Sequence, residues 1–173
     1  MRRRFFGGVV SALVLVLALT SLAYGAAQHR RVLALDACDG PSFNAVIGPG
    51  ACERGGGVKF DAFIEQLMAM GEAPAWRFAP EVMTLAAGGA IDAYNRGGEF
   101  HTFTEVAAFG GGCVPELNDL LGLDPAPECD IPGIFGTTGI APGGELEGQP
   151  LSTGTHLFEC LIHPWMRTTV NVQ

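Results

Sequence analysis

The sequence predicts a mainly β fold, a sandwich of short strands in a single domain. A chain of 173 residues has the length of one domain with a sizeable core. Short runs that alternate apolar and polar residues are bounded by glycine and proline, which is typical of strands joined by turns. We expect strands at 32–35, 82–85, 90–94 and 100–106, and two more that flank the segment 160–166.

One amphipathic helix is expected over residues 58–70, packed against the sandwich. Apolar residues recur there at the i, i+3, i+4, i+7 and i+8 spacing that places them on one helical face. Gly71 follows directly and suits a C-terminal stop. The residues of that face are Phe60, Phe63, Ile64, Leu67 and Met68.

The first 25 residues have the pattern of a secretory signal peptide. Arginines at positions 2–4 precede an apolar stretch at 9–22, and small residues suit cleavage before Ala26. We therefore expect an exported protein, periplasmic or extracellular, in which residues 26–173 form the folded domain. An uncleaved N-terminal anchor is the alternative, because residues 5–24 are about long enough to span a bilayer.

Removal of this leader would leave a strongly acidic protein. It takes away three arginines and no acids, so seven Lys and Arg face 18 Asp and Glu, a formal charge of −11. Such a surface repels nucleic acids and anionic membranes and favours a basic protein partner. We expect neither nucleic-acid binding nor membrane insertion once the signal is cleaved.

Five cysteines fit an exported protein with disulfide bonds and one cysteine left over. Four of them allow three pairings, and the sequence does not choose among these. We favour pairing of nearest neighbours, Cys38 with Cys52 and Cys113 with Cys129. Cys160 then remains, and bound metal would shield its thiol in an oxidising compartment.

Three potential metal ligands lie within seven residues near the C-terminus. Cys160, His163 and Met166 offer a thiolate, an imidazole and a thioether, soft-to-borderline donors that suit copper better than a hard cation. A trigonal plane of one thiolate and two imidazoles needs a second histidine, which His101 can supply from a distant strand. The predicted metal site is therefore His101, Cys160, His163 and Met166, with no catalytic residue and no other cofactor.

The ligand segment resembles that of a known family. Cys160-x-x-His163-x-x-Met166, with Pro164 and Trp165 inside the loop, is similar to the ligand loop of the blue copper proteins, or cupredoxins. Within that family the loop is most similar to those of amicyanins and, more loosely, of plastocyanins. The segment 95–101, a strand and a Gly-rich turn before His101, resembles the upstream half of the site.

The resemblance implies a fold, a cofactor and a function. It implies a cupredoxin-like Greek-key β-sandwich with one mononuclear type 1 copper, acting as a one-electron carrier and not as an enzyme. The Gly- and Pro-rich segment 107–151, which holds the second cysteine pair, becomes an insertion. His163 would present its imidazole edge at the surface beside Pro164 and Trp165, where redox partner proteins would dock. Family members often brace the site with Asn after the first histidine, and this chain has Thr102 instead.

Three other functions compete with electron transfer. The same ligands could serve copper capture or delivery, although the chain lacks Met-rich or His-rich tracts. A metal-free cupredoxin-like interaction module is a second alternative. Hydrolysis with Cys160 as nucleophile is a poor third, because His163 lies too near in a tight loop to act as the usual base, although His101 could serve. Zinc is disfavoured by the thioether ligand.

Overall fold

A computed structural model describes residues 28–173 of the chain. The predicted signal peptide and its cleavage point lie outside these residues. Within the described part of the chain, no helix has both the length and the apolar character that crossing a bilayer requires.

The described chain forms ten strands. Eight of them make two four-stranded sheets, ordered β2-β1-β4-β8 and β3-β10-β9-β6, and the short strands β5 and β7 pair separately. The strands are β1 (His29–Leu35), β2 (Arg77–Ala79), β3 (Val82–Leu85), β4 (Ala90–Asn95), β5 (His101–Thr102), β6 (Thr104–Val106), β7 (Gly139–Ile140), β8 (Glu145–Leu146), β9 (Gly154–Glu159) and β10 (Arg167–Val172).

Each large sheet contains one parallel pair among antiparallel pairs. β1 is parallel to β4 in the first sheet, and β10 is parallel to β3 in the second. The consecutive strands β3 and β4 lie in different sheets, so the chain crosses between layers as a Greek-key winding requires. The mainly β sandwich predicted from the sequence is confirmed.

The core lies between the two sheets, where their apolar side chains form one cluster. Three aromatic rings join strands of both layers. The ring centroids of Phe103 and Phe158 are 4.4 Å apart with nearly parallel planes, and Phe78 meets Phe103 edge-on at 5.2 Å. Such pairs stabilise the contact beyond the burial of apolar area.

The number of helices was underestimated, because one was predicted. Helix α2 lies within the predicted segment 58–70, but three further α-helices form in the described residues. One of them, α1, begins with Gly40 and Pro41, residue types that are common in turns, and Asp39 caps it by accepting a hydrogen bond from Ser42 N at 3.0 Å. The helices are α1 (Gly40–Val46), α2 (Phe60–Met70), α3 (Pro115–Leu121) and α4 (Ile134–Thr138), with a 3₁₀ turn at Pro127–Asp130.

The predicted strand at 100–106 is also interrupted. β5 pairs with β7, whereas β6 pairs with β9, and between them Phe103 N donates to Thr138 O at 2.8 Å. The partner of β5 comes from the segment 107–151, so this segment completes the sheets rather than only covering them. β8, from the same segment, adds to β4. Disulfides join Cys38 to Cys52 and Cys113 to Cys129, as favoured from the sequence.

The aromatic stack between the sheets gives a stability prediction. Phe103→Ala removes a ring that is 5% exposed and should lower the free energy of unfolding by about 3–5 kcal/mol in denaturant titrations. Phe135→Ala, at a ring that is 38% exposed, is the matched control and should cost less than about 1 kcal/mol. Equal losses for the two variants would contradict the placement of the core.

Candidate metal centre

Two remote segments bring the predicted ligands to one end of the sandwich. His101 begins β5, and Cys160 follows the last residue of β9. The loop from Cys160 to Met166 is closed by its own backbone: Met166 N donates to His163 O at 2.9 Å, and Cys160 N donates to Met166 O at 3.1 Å. These bonds fix the loop between β9 and β10.

Three of the predicted ligands converge with their donor atoms facing one another. Cys160 Sγ lies 3.8 Å from His101 Nδ1 and 3.8 Å from His163 Nδ1, and the three donors lie within 4.8 Å of one another. Bonds of about 2.3 Å to sulfur and about 2.0 Å to nitrogen, set about 120° apart, would place such donors roughly 3.7 Å from each other. The donor set therefore fits a metal ion in a trigonal plane.

The cluster is almost fully buried. Cys160 and His101 are 0% exposed and His163 is 3% exposed. Met166 is also 0% exposed, and its backbone belongs to the same loop. Its role as an axial ligand stays a prediction.

Thr102 braces the two ligand segments. Its backbone N–H points at Cys160 Sγ at 3.4 Å, and its hydroxyl oxygen accepts a hydrogen bond from Leu161 N at 2.7 Å. The hydroxyl of Thr104 lies 3.2 Å from that of Thr102 and extends the bracing. A threonine thus joins the two ligand segments.

A buried aspartate holds His101 from the side opposite the thiol. His101 Nε2 lies 2.9 Å from Asp36 Oδ2, and both side chains are 0% exposed. The carboxylate accepts a hydrogen bond from Nε2–H, so in the neutral imidazole the lone pair of Nδ1 faces the Cys160 side and is available to a metal. Asp36 therefore fixes the imidazole tautomer that a metal at this site requires.

Backbone N–H groups converge on the carboxylate of Asp36, and a carboxylate oxygen of Glu99 lies within 4.8 Å of it. The backbone N–H groups of Cys38, Gly98 and Glu99 donate to it at 3.2, 2.9 and 3.0 Å. A Cβ at Gly97 would lie 1.7 Å from Asp36 Oδ2, so the close approach of the turn needs glycine there. Sequence reasoning missed Asp36; its signal was an acid directly after a predicted strand, facing a Gly-Gly turn.

A second buried carboxylate lies near His163. Glu99 Oε2 accepts a hydrogen bond from Trp76 Nε1 and lies 3.7 Å from His163 Nε2. Burial raises the pKa of Glu99 above its ordinary value, against the opposing effects of His163 and Trp76. Each histidine of the cluster thus has a carboxylate beside its outer nitrogen.

The electrostatics favour the metal-binding form of the thiol. Burial raises the pKa of Cys160, but hydrogen bonds from His101 and His163 outweigh it and hold that pKa well below 9.0. Burial likewise lowers the pKa of His101, yet Asp36 and Cys160 raise it to about 9. For Asp36, burial raises the pKa, and the bonds from His101, Gly98 and Glu99 lower it to about 2. A thiolate is the form that binds metal.

The predicted exposure of His163 is wrong. Its imidazole is buried, and so is Pro164, whereas Trp165 is partly buried. Side chains of α1, α2 and α3 stand over this end of the sandwich and enclose a groove with His163 at its floor. The helical segments add a cover that the loop sequence does not reveal.

Two other ionisable residues of β9 stay outside the cluster. His156 pairs with Glu105 Oε1 at 2.6 Å and with Ser152 O at 2.8 Å. Glu159 is 0% exposed and accepts a hydrogen bond from Arg167 Nε at 2.9 Å. Neither residue offers a donor to the three-residue cluster.

Solved structures similar to this one include three kinds of cupredoxin. A purple cupredoxin from Nitrosopumilus maritimus is 12% identical, with 83% of this chain and 98% of that chain covered and a TM-score of 0.44. A mutant fern plastocyanin is 18% identical, with coverage of 57% and 89% and a TM-score of 0.37. A Cu(I) amicyanin mutant is 17% identical, with coverage of 56% and 73% and a TM-score of 0.37. No protein-family model and no curated protein sequence matches the chain.

The chain's own topology and donor set define its class. It has two four-stranded sheets with crossing connections, and a buried Cys-His-His cluster lies where a C-terminal loop meets an upstream strand. This is a cupredoxin-like β-sandwich, with two disulfides and additional helices. The predicted fold class is confirmed, apart from the number of helices.

The contact between Asp36 and His101 gives a prediction about metal affinity. Asp36→Asn keeps the side-chain size, but an amide N–H₂ must then face backbone N–H groups or the His101 proton. We expect Cu(II) affinity to fall about 10–100-fold, measured by competition with a chelator.

Asp92→Asn is the matched control for that variant. It alters a carboxylate–histidine pair at His29, which is 53% exposed and lies at the far end of β1 from Asp36. Its copper affinity should stay at the wild-type value. Equal affinity in all three proteins would show that Asp36 does not position His101.

Proposed function

We propose that this chain is an exported mononuclear type 1 copper protein that carries single electrons. The observation that supports it most is the arrangement of Cys160 Sγ between two imidazole nitrogens, each 3.8 Å away, in an almost fully buried site. His101, Cys160 and His163 would hold the ion, with Met166 as a weak axial ligand. One thiolate, two imidazoles and a thioether are the donor set of blue-copper sites.

Bound copper supplies a one-electron couple between Cu(II) and Cu(I). The chain's contribution is to keep its donors in place in both states. Thr102 fastens the two ligand segments together, Asp36 orients His101, and the loop to Met166 is closed by backbone bonds. Ligands held this firmly need little rearrangement when the charge of the site changes.

A carrier fits the burial of the site better than an enzyme does. The thiol of Cys160 is 0% exposed, and both imidazoles beside it face it with Nδ1. A substrate has no path to this sulfur without displacing the ligands. We therefore propose no catalytic residue.

The predicted export and the acidic surface indicate where the protein acts and which partners it would meet. The two disulfides and the predicted leader support a periplasmic or extracellular location. A formal charge of −11 after leader removal would steer basic redox proteins toward the molecule. Because His163 is covered, such partners would exchange electrons across Trp165 and the helical rim instead of touching the imidazole.

The visible absorption spectrum tests the identity of the metal and of its sulfur ligand. Cu(II) added to the purified protein should give an intense visible thiolate-to-copper band, which Cys160→Ser should abolish. His156→Gln, at a histidine outside the cluster, should keep the band. A wild-type protein that binds copper without this band would overturn the proposed type 1 site.

Metal retention separates an electron carrier from a copper-delivery protein. Repeated reduction with ascorbate and reoxidation with ferricyanide should leave the copper in place, because the donors are buried and braced. Copper content after ten cycles in the presence of a chelator is the measurement. Rapid loss of copper to the chelator would favour capture or delivery.

A further inference from the structure

Three helices form an apolar groove over the cluster. Its cavity has a volume of about 710 Å³, and at its floor lie His163 and Glu99. The size is within the range of about 300–1,000 Å³ that is usual for small-molecule sites. The walls are apolar side chains of α1, α2 and α3, among them Val46, Phe60, Ile64, Leu117 and Leu120.

Among the polar groups that line the groove, Glu99 has unused hydrogen-bonding capacity at the floor. Glu99 is 92% buried, as its side chain is 8% exposed, and its Oε2 is taken by Trp76 Nε1. Within residues 28–173, Glu99 Oε1 has no hydrogen-bond partner. This oxygen is not among the fully buried unpaired atoms, and Glu99 lines the groove, so Oε1 is available to accept a hydrogen bond from a ligand.

The depth of the groove selects a small occupant over a flat protein surface. The rim residues Val46 and Ile47 are 63% and 58% exposed, whereas His163 at the floor is 3% exposed. A docked protein would cover the rim and leave the floor unfilled. A molecule that enters can bury apolar area against the walls and pair with Glu99.

We propose that this groove binds a neutral apolar molecule with a hydroxyl group, of the phenol or hydroquinone class. Its hydroxyl pairs with the carboxyl of Glu99, and its ring lies against the apolar walls above His163. Anionic ligands such as fatty acids are disfavoured, because Glu99 and Glu116 line the groove and the whole chain has a formal charge of −8. Sugars and nucleotides need more polar partners than the walls offer.

Such a ligand would be a small-molecule redox partner of the proposed electron carrier. This interpretation rests on the proposed copper function. A ring above His163 would lie next to an imidazole of the proposed metal site. The binding itself does not depend on metal. It can therefore fail while the thiolate-to-copper band is present, or succeed while that band is absent.

Trimethylhydroquinone is a suitable probe. It is titrated into the purified protein in excess ascorbate, which keeps the probe and any copper reduced, and tryptophan fluorescence reports binding because Trp76 contacts Glu99. We expect saturable binding. The dimethyl ether of the probe, which cannot donate a hydrogen bond, should bind about tenfold more weakly.

Two variants locate the binding. Leu120→Asp puts a charge on a groove wall and should weaken binding about tenfold or more. Ile131→Asp makes the same change at an apolar residue outside the groove that is 49% exposed, and should leave affinity unchanged. The proposal is overturned by an absence of saturable binding, by equal affinities for probe and ether, or by equal effects of the two variants.

Discussion

Charged and polar groups are buried together at one end of this sandwich, and their mutual pairing is the constraint on which the site depends. Asp36, His101, Cys160, His163 and Glu99 follow one another in contact, all of them at least nine-tenths buried. Burial of any one of them alone would cost several kcal/mol. Along this row of contacts, groups that carry negative charge alternate with groups that carry positive charge. Each therefore lowers the free-energy cost of burying its neighbour.

The backbone around this row of side chains supports it with close approach and hydrogen bonds. The turn at Gly97 and Gly98 approaches Asp36 more closely than any side chain would permit, and its N–H groups point at the carboxylate. Thr102 then links the strand that carries His101 to the segment that carries Cys160. The local backbone geometry thus holds the proposed ligands in place. Substitutions in these supporting residues would change the positions of the ligands, although the residues themselves would not contact a metal.

The sequence predicted features whose residues lie close together along the chain, and it missed those formed by residues far apart. Cys160, His163 and Met166 lie within one loop, so their spacing alone suggested a metal site, and the apolar periodicity of α2 was equally local. The contact of Asp36 with His101 joins residues 65 positions apart and depends on the packing of β1 beside the turn. No short-range pattern encodes it. The cover over His163 was missed for the same reason, because α1, α2 and α3 come from three separate segments and two of them are seven-residue helices.

If the chain is the proposed electron carrier, the helical cover affects how electrons reach the centre. An exposed imidazole edge suits contact with a flat protein partner, whereas a floor at the end of an apolar groove favours entry of a small molecule or transfer across Trp165. His163 and Trp165 have ring centroids 5.4 Å apart, which is close enough for this side chain to shape the access.

Copper X-ray absorption of the Cu(II)-loaded protein tests the central claim most directly. Three converging donors predict one sulfur scatterer at about 2.3 Å or less and two imidazole nitrogens at about 2.0 Å. A shell of nitrogen and oxygen without a short sulfur distance would contradict the account.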